Sequence, residues 1–454
     1  MVNRAFFIEV NMKIQISDHF TVKKLIRFVF PSVVMMVFTS IYGVVDGFFV
    51  SNYAGKTPFA AVNLILPFVM MIGSLGFMIG TGGSALVAKT LGEGNKKKAN
   101  EQFSLLIYSV ILFSIVLVII AQLVLKRVSV LLGADEEMLE YCIAYGRIAL
   151  CSMPFFMLQN VFQSFFVTAE RPHLGLAVTV IAGVNNMVMD FLFVGVFKWG
   201  VVGAASATAV SELLGGGIPL IYFFAKNSTH LRLGRTHFDG KALLKACTNG
   251  SSELMTNISI SFVNMIYNYQ LIRYFGQDGI AAYGVIMYVN FIFISLFVGY
   301  SIGVAPIVSY SYGAENTAEL KNIFKKSVVF FAAGGVFLLA LALALSHLLA
   351  QLFTGYDDEL FRLTRFAFRL FATSYLIAGF NIFGSAFFTA LNNGAVSAAI
   401  SFLRTLLFQI AAVLLLPAAF GINAIWLSMT AAEVCTLAVT LAFVITQRKK
   451  YQYM

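Results

Sequence analysis

Asn160-Val161-Phe162-Gln163-Ser164-Phe165-Phe166-Val167-Thr168 returns in the second half of the chain as Asn381-Ile382-Phe383-Gly384-Ser385-Ala386-Phe387-Phe388-Thr389, with Asn, Ser and Thr held at the same three places in apolar surroundings. The same offset, without a gap, matches Gly55 to Gly276, Gly82 to Gly303, Gly92 to Gly313, Asn95 to Asn316, Gly200 to Gly421 and Glu212 to Glu433. Chance similarity between apolar helices would not keep Gly, Asn, Thr and Glu in one register, so the chain reads as an internal duplication.

Composition says what is duplicated. Across 454 residues only 11% are charged and 59% are apolar, whereas a soluble domain is about 25% charged. A soluble enzyme is excluded. Twelve apolar stretches are long enough to cross a bilayer: 28–50, 59–86, 102–125, 141–168, 174–197, 200–225, 243–270, 279–308, 327–353, 365–390, 395–418 and 421–446. The segment 1–27 shows no long apolar region or small-residue cleavage site, so no cleaved signal is expected. Placing the N-terminus in the cytoplasm puts Lys96-Lys97-Lys98, Lys325-Lys326 and Arg448-Lys449-Lys450 inside and the acidic Asp135-Glu136-Glu137 outside. The positive-inside rule favours that orientation, with both termini cytoplasmic. The net charge of +10 is then a topology signal, and no nucleic-acid partner is expected.

Six spans per half is an even number, so both halves enter from the same side as parallel repeats about an axis along the membrane normal. The fold class is an all-α membrane protein with twelve transmembrane helices in two six-helix lobes. The expected divisions are a cytoplasmic segment 1–27, an N-lobe 28–225, a cytoplasmic linker 226–242, a C-lobe 243–446 and a cytoplasmic tail 447–454. A multi-pass protein of the cytoplasmic membrane, working as a monomer in the lipid bilayer, is the expectation. No GxxxxGK or HExxH stands in the chain, and the four cysteines and five histidines have no ligand spacing. No cofactor, resident metal or catalytic group is expected.

Ionisable groups inside spans are costly unless paired, protonated or hydrated, which makes them candidates. Counted at about 1.5 Å per residue from the cytoplasmic ends, Asp46 lies about 27 Å in and Asp190 about 24 Å in. Asn186 is one turn before Asp190, and Thr208 reaches a similar level from outside. Two carboxylates with an amide and a hydroxyl suit a proton or a sodium ion. The competing reading is that Asp46 is hydrated near the outer surface, or that Asp190 only caps a neighbouring helix. In the second half, Glu253 and Arg404 share a depth of roughly 13–14 Å and are expected within salt-bridge reach, as a structural pair or a coupling pair. Glu212 and Glu433 read as a shared structural position. Phe155, Phe156, Phe162, Tyr267 and Met287 are candidates to line a central cavity, where aromatic faces and thioethers suit flat lipophilic cations.

At this point the residues resemble the multidrug and toxic compound extrusion (MATE) family of secondary transporters. The resemblance covers nearly the whole chain and rests on Val45-Asp46-Gly47, Leu91-Gly92-Glu93-Gly94-Asn95, and Asn186 to Asp190 followed by Gly200-Val201-Val202-Gly203-Ala204-Ala205. It implies a V-shaped pair of bundles that exports small organic cations or drugs by antiport with protons or sodium. It also implies a first-lobe cation site at Asp46, Asn186, Asp190 and Thr208, with Asn160 as a further polar position. Proton coupling ranks above sodium. Glu253 is similar to the acid of members that bind sodium in the second lobe, but 366–390 lacks the acid those members also use. The alternative is a flippase for a lipid-linked sugar from the same wider superfamily. That activity would want a cationic central cavity for pyrophosphate, and only Arg147 and Arg404 are basic residues well inside spans.

Overall fold

The structure, a computed structural model, describes residues 14–50, 53, 55–355 and 357–454; residues 1–13 of the expected N-terminal segment lie outside the described residues. No strand occurs among the described residues. The first half comprises α1 (Val22–Phe49), α2 (Lys56–Gly92), α3 (Lys96–Leu131), α4 (Glu136–Thr168), α5 (Pro172–Asp190) and α6 (Gly200–Phe224). A short helix α7 (Gly240–Asn249) leads into the second half: α8 (Ser251–Gly313), α9 (Thr317–Thr354), α10 (Asp358–Ala372), α11 (Tyr375–Ala390), α12 (Gly394–Phe402), α13 (Phe408–Phe420) and α14 (Ser428–Tyr451). Among the described residues ten helices are long and apolar enough to cross a membrane, and the α10–α11 pair, bent by 48°, makes an eleventh span. The long α8 breaks at Gly276 (φ 63°), which divides it into two spans and completes twelve.

The repeat residues turn out to be the joints of this plan. Gly55 and Gly276, and likewise Gly200 and Gly421, all take positive φ at turns between spans, a conformation that costs glycine little. Asn95 and Asn316 cap α3 and α9, their side-chain oxygens accepting the N–H groups of Lys98 and Glu319 at 3.0 Å. The duplicated Gly and Asn pattern therefore records turn and cap geometry.

Helix ends depart from the sequence reading by up to ten residues, as at α9, which starts at Thr317 where the reading began the span at 327, and three departures matter for the plan. α1 starts at Val22 because Thr21 caps it, so Lys23, Lys24 and Arg27 ride on its first turns. The 226–242 linker ends in the separate amphipathic α7, and the span expected from 243 begins at Ser251. The tenth span is broken at Thr373 and Ser374.

The start of α1 and the end of α14 lie at one end of the bundle, the base. There the halves meet through glycines that let backbone touch backbone. A Cβ on Gly92 would strike the carbonyl of Tyr310, and one on Gly313 would strike the carbonyl of Lys89. Lys89 and Tyr310 are themselves repeat equivalents, so the two contacts are one contact repeated by the pseudo-two-fold axis. Gly82 against Gly250 and Gly303 against Val29 form a second such reciprocal pair. The base is thus closed by small residues at close helix crossings, as membrane helices require in the absence of a hydrophobic force between them.

Candidate coupling site

Asp190 is the last residue of α5, where the helix passes into a π turn over Phe191–Val196. It is completely buried, and neither carboxyl oxygen receives a hydrogen bond from a donor in the protein. Its neighbour is Asp46 of α1. The two carboxyl groups lie within hydrogen-bonding reach of each other, and Asp46 Oδ1 is likewise enclosed without a donor. Asn186, one turn back on α5, is 2% exposed. Its Nδ2 stands 3.5 Å from Thr208 Oγ1 on α6, and its Oδ1 has no donor. Asp46, Asn186, Asp190 and Thr208, drawn from three helices and far apart in the chain, therefore converge on one small volume.

Buried oxygens without donors are expensive, and two carboxylates facing each other add repulsion. A proton between the acids, or a cation among these oxygens, satisfies both deficits at once. No Lys or Arg of the described residues forms an ion pair in the cluster. A third acid, which the sequence reads as a structural position, stands nearby. Glu212 of α6 has an enclosed Oε2 without a donor and lies near Asp46. Asn160 Nδ2 donates to Phe156 O at 2.8 Å.

The second half treats its equivalent acid differently. Arg404 donates from Nε and Nη2 to Glu433 Oε1 at 2.8 and 2.7 Å, while Asn381 Nδ2 reaches Glu433 Oε2 at 2.7 Å. The expected pairing of Arg404 with Glu253 is not made in this structure: Glu433, across the helix interface on α14, takes the Nε and Nη2 donors, while Glu253 stays near Arg404. Glu253 makes no ion pair among the described residues. The first-half residue at the place of Arg404 is Gly183, where any side chain would meet Phe38 and Tyr42. Glu212 consequently has no built-in cation. The missing signal was readable as an absence, because an acid was duplicated and its base was not.

The cavity assignments divide. Phe162 is fully buried and stacks on Phe223 with ring centroids 5.5 Å apart, and Tyr267 is fully buried, stacked on Tyr283 at 4.3 Å. Neither lines a cavity that water can enter, which corrects both expectations; their apolar faces complete lobe cores instead. Phe155, Phe156 and Met287 are half-buried, with Phe156 edge-on to Phe77.

A model of the MatE family matches residues 31–192 and again 254–415, one copy in each half of the duplication. The chain belongs to the MatE family. Like the rest of that family it is a membrane transporter and not an enzyme. The multidrug export protein MepA of Staphylococcus saprophyticus is 23% identical over 421 residues, 92% of each chain. Among solved structures, a MATE protein in complex with MaL6 superposes with a TM-score of 0.91 at 20% identity, covering 96% of this chain and 98% of its own. An outward-facing multidrug resistance MATE transporter of the MOP superfamily gives 0.86 at 21% identity, covering 96% and 98%. The MatE match and these superpositions establish the twelve-span, two-lobed fold and a multi-pass membrane protein.

Proposed function

We propose that this MatE protein exports lipophilic organic cations or drugs across the cell membrane by alternating access, in exchange for protons or sodium bound at Asp46, Asn186, Asp190 and Thr208. The observation that carries the reading is the Asp46–Asp190 contact among enclosed oxygens without donors. A cation arriving from outside turns repulsion between α1 and α5 into attraction, and the first lobe closes on the ion while its substrate leaves outward. Asn186 and Thr208 supply neutral oxygens and hold the acids in place. Proton coupling ranks first, because two acids in contact are satisfied by a single shared proton without further ligands. The exported substrate follows from likeness to MepA, the multidrug export protein.

In this reading the lobes are 28–225 and 243–446, the base faces the cytoplasm with both termini, and the monomer is the working unit. The flippase alternative draws less support. Arg404 is committed to Glu433, which leaves only Arg147, exposed on α4, of the two basic residues well inside spans to meet a pyrophosphate. Purified protein in proteoliposomes, given imposed proton or sodium gradients and a panel of cationic dyes, tests the proposal. Gradient-driven uphill dye movement supports it, and no movement under either gradient overturns it.

A further inference from the structure

The chain segment just before α1 runs across the base as a strap. Ile16 donates its N–H to Glu170 Oε1 at 3.0 Å, at the turn between α4 and α5 in the first lobe. One short step further along, at His19 and Phe20, the strap is held by the second lobe. Phe20 donates its N–H to Glu319 Oε1 at 3.0 Å, and His19 Nδ1 lies 2.6 Å from Glu319 Oε2. Asn322 Nδ2 donates to Phe20 O at 3.0 Å, and Lys326 Nζ donates to the same carbonyl. Ile16 and Phe20 are buried, 4% and 0% exposed, with Phe20 edge-on to Phe28 at 5.7 Å. One carboxylate on the first turn of α9 thus collects the strap's backbone and a side chain, while the strap's other end is fixed to the opposite lobe.

The pseudo-two-fold axis supplies a counterpart. The inter-lobe linker crosses the start of α3, where Arg232 N–H donates to Asn100 Oδ1 at 2.7 Å and Thr236 Oγ1 donates to Glu101 O at 2.8 Å. Glu101 and Asn322 are repeat equivalents, so linker and strap occupy matching places on α3 and α9. They differ in one respect. The linker joins the lobes covalently and cannot let go, whereas the strap holds the second lobe by hydrogen bonds and packing alone.

We propose that residues 14–21 are a releasable clasp on the base, with Glu319 as its catch: the lobes separate at this end only when the strap leaves α9. The inference rests on the alternating-access reading above. Hydrogen bonds to a charged group contribute strongly compared with neutral ones, and several share the one carboxylate. Loss of that carboxylate therefore shifts the open and closed populations without touching the cluster of Asp46 and Asp190. Glu319 is a positioning residue for transport and meets neither ion nor substrate.

The test uses full-length protein with its native cysteines replaced and spin labels at Lys97→Cys and Lys321→Cys, both at the base, one on each lobe. Pulsed electron–electron distance measurements on Glu319→Gln should show the longer-distance population rising several-fold over the parent, and Glu319→Asp should restore most of the parent distribution. An unchanged distribution in Glu319→Gln overturns the clasp. In a separate variant, His19→Cys and Glu319→Cys are joined by a short reducible thiol-to-thiol linker. Dye transport should stop when the linker is in place and return on reduction, and transport at an equal rate in both forms overturns the proposal. If no variant or parent moves dye under any gradient, the transport reading has failed, while the distance measurement still decides the clasp.

Discussion

Arg404 grips Glu433 with two nitrogens on one carboxylate oxygen, at 2.8 and 2.7 Å, and the residues at the matching places in the first half are Gly183 and Glu212. Duplication has left one lobe with an acid paired by its own chain and the other with enclosed acids that have no basic partner among the described residues. That asymmetry favours ion coupling in the first lobe and a fixed strut in the second.

The strut makes a prediction about stability. Glu433 is buried, so removing its partner leaves an uncompensated charge, a change that costs about 3–5 kcal/mol, whereas replacing both partners with apolar residues is close to neutral. Arg404→Met should lower the melting temperature of the detergent-solubilised protein sharply, and Arg404→Met with Glu433→Leu should recover most of it. A single variant as stable as the parent would remove the strut.

The reciprocal glycine contacts predict paired behaviour. Gly92→Ala and Gly313→Ala each push a Cβ into a carbonyl of the opposite lobe, at Tyr310 and Lys89. Both should loosen the base to a similar degree. The native Cys247, half-buried on α7 at the base, is the reporter. With the other cysteines replaced, its reaction with a maleimide should speed up several-fold in both variants and stay at the parent rate in Gly43→Ala, where a Cβ meets nothing within 4 Å. Acceleration in only one of the two glycine variants would contradict the pseudo-two-fold account.

Most of the fold was legible because membrane folding leaves a coarse signal. Apolar length gives the spans, and the constant repeat offset pairs residues that prove to be turns, caps and crossings. Depth counting put Asp46 and Asp190 at one level, and their carboxyl groups do lie near each other. The same counting misled for Glu253 and Arg404. Depth fixes a height and not a direction around the helix, and the π turn over Leu403–Leu407 at Arg404 rotates that face towards Glu433. Glu212 read as structural because of its equivalence to Glu433, and the contacts show that an arginine serves only one of the two. Phe162 and Tyr267 were chosen by residue type, which cannot separate a cavity wall from a lobe core.

Orientation carries its own prediction. The base holds Arg171, Arg232, Arg235 and Lys241, which resist translocation, and is expected in the cytoplasm. Single cysteines at the exposed positions His173→Cys and Arg235→Cys should react with an impermeant reagent only after cells are permeabilised. Reaction from outside intact cells would invert the topology.

The central claim is that Asp46 and Asp190 exchange the coupling ion. Asn keeps the size and hydrogen-bonding reach of Asp and removes its charge and its titratable proton, so Asp190→Asn and Asp46→Asn isolate the chemistry from the packing. The decisive measurement is uphill dye export by each variant in proteoliposomes, as a function of the imposed proton and sodium gradients. The account predicts that each variant still binds dye, while gradient-driven export falls at least about tenfold, a loss equal to about 1.4 kcal/mol in barrier height. Export at the parent rate with the parent's dependence on the ion gradient, in both variants, would contradict it.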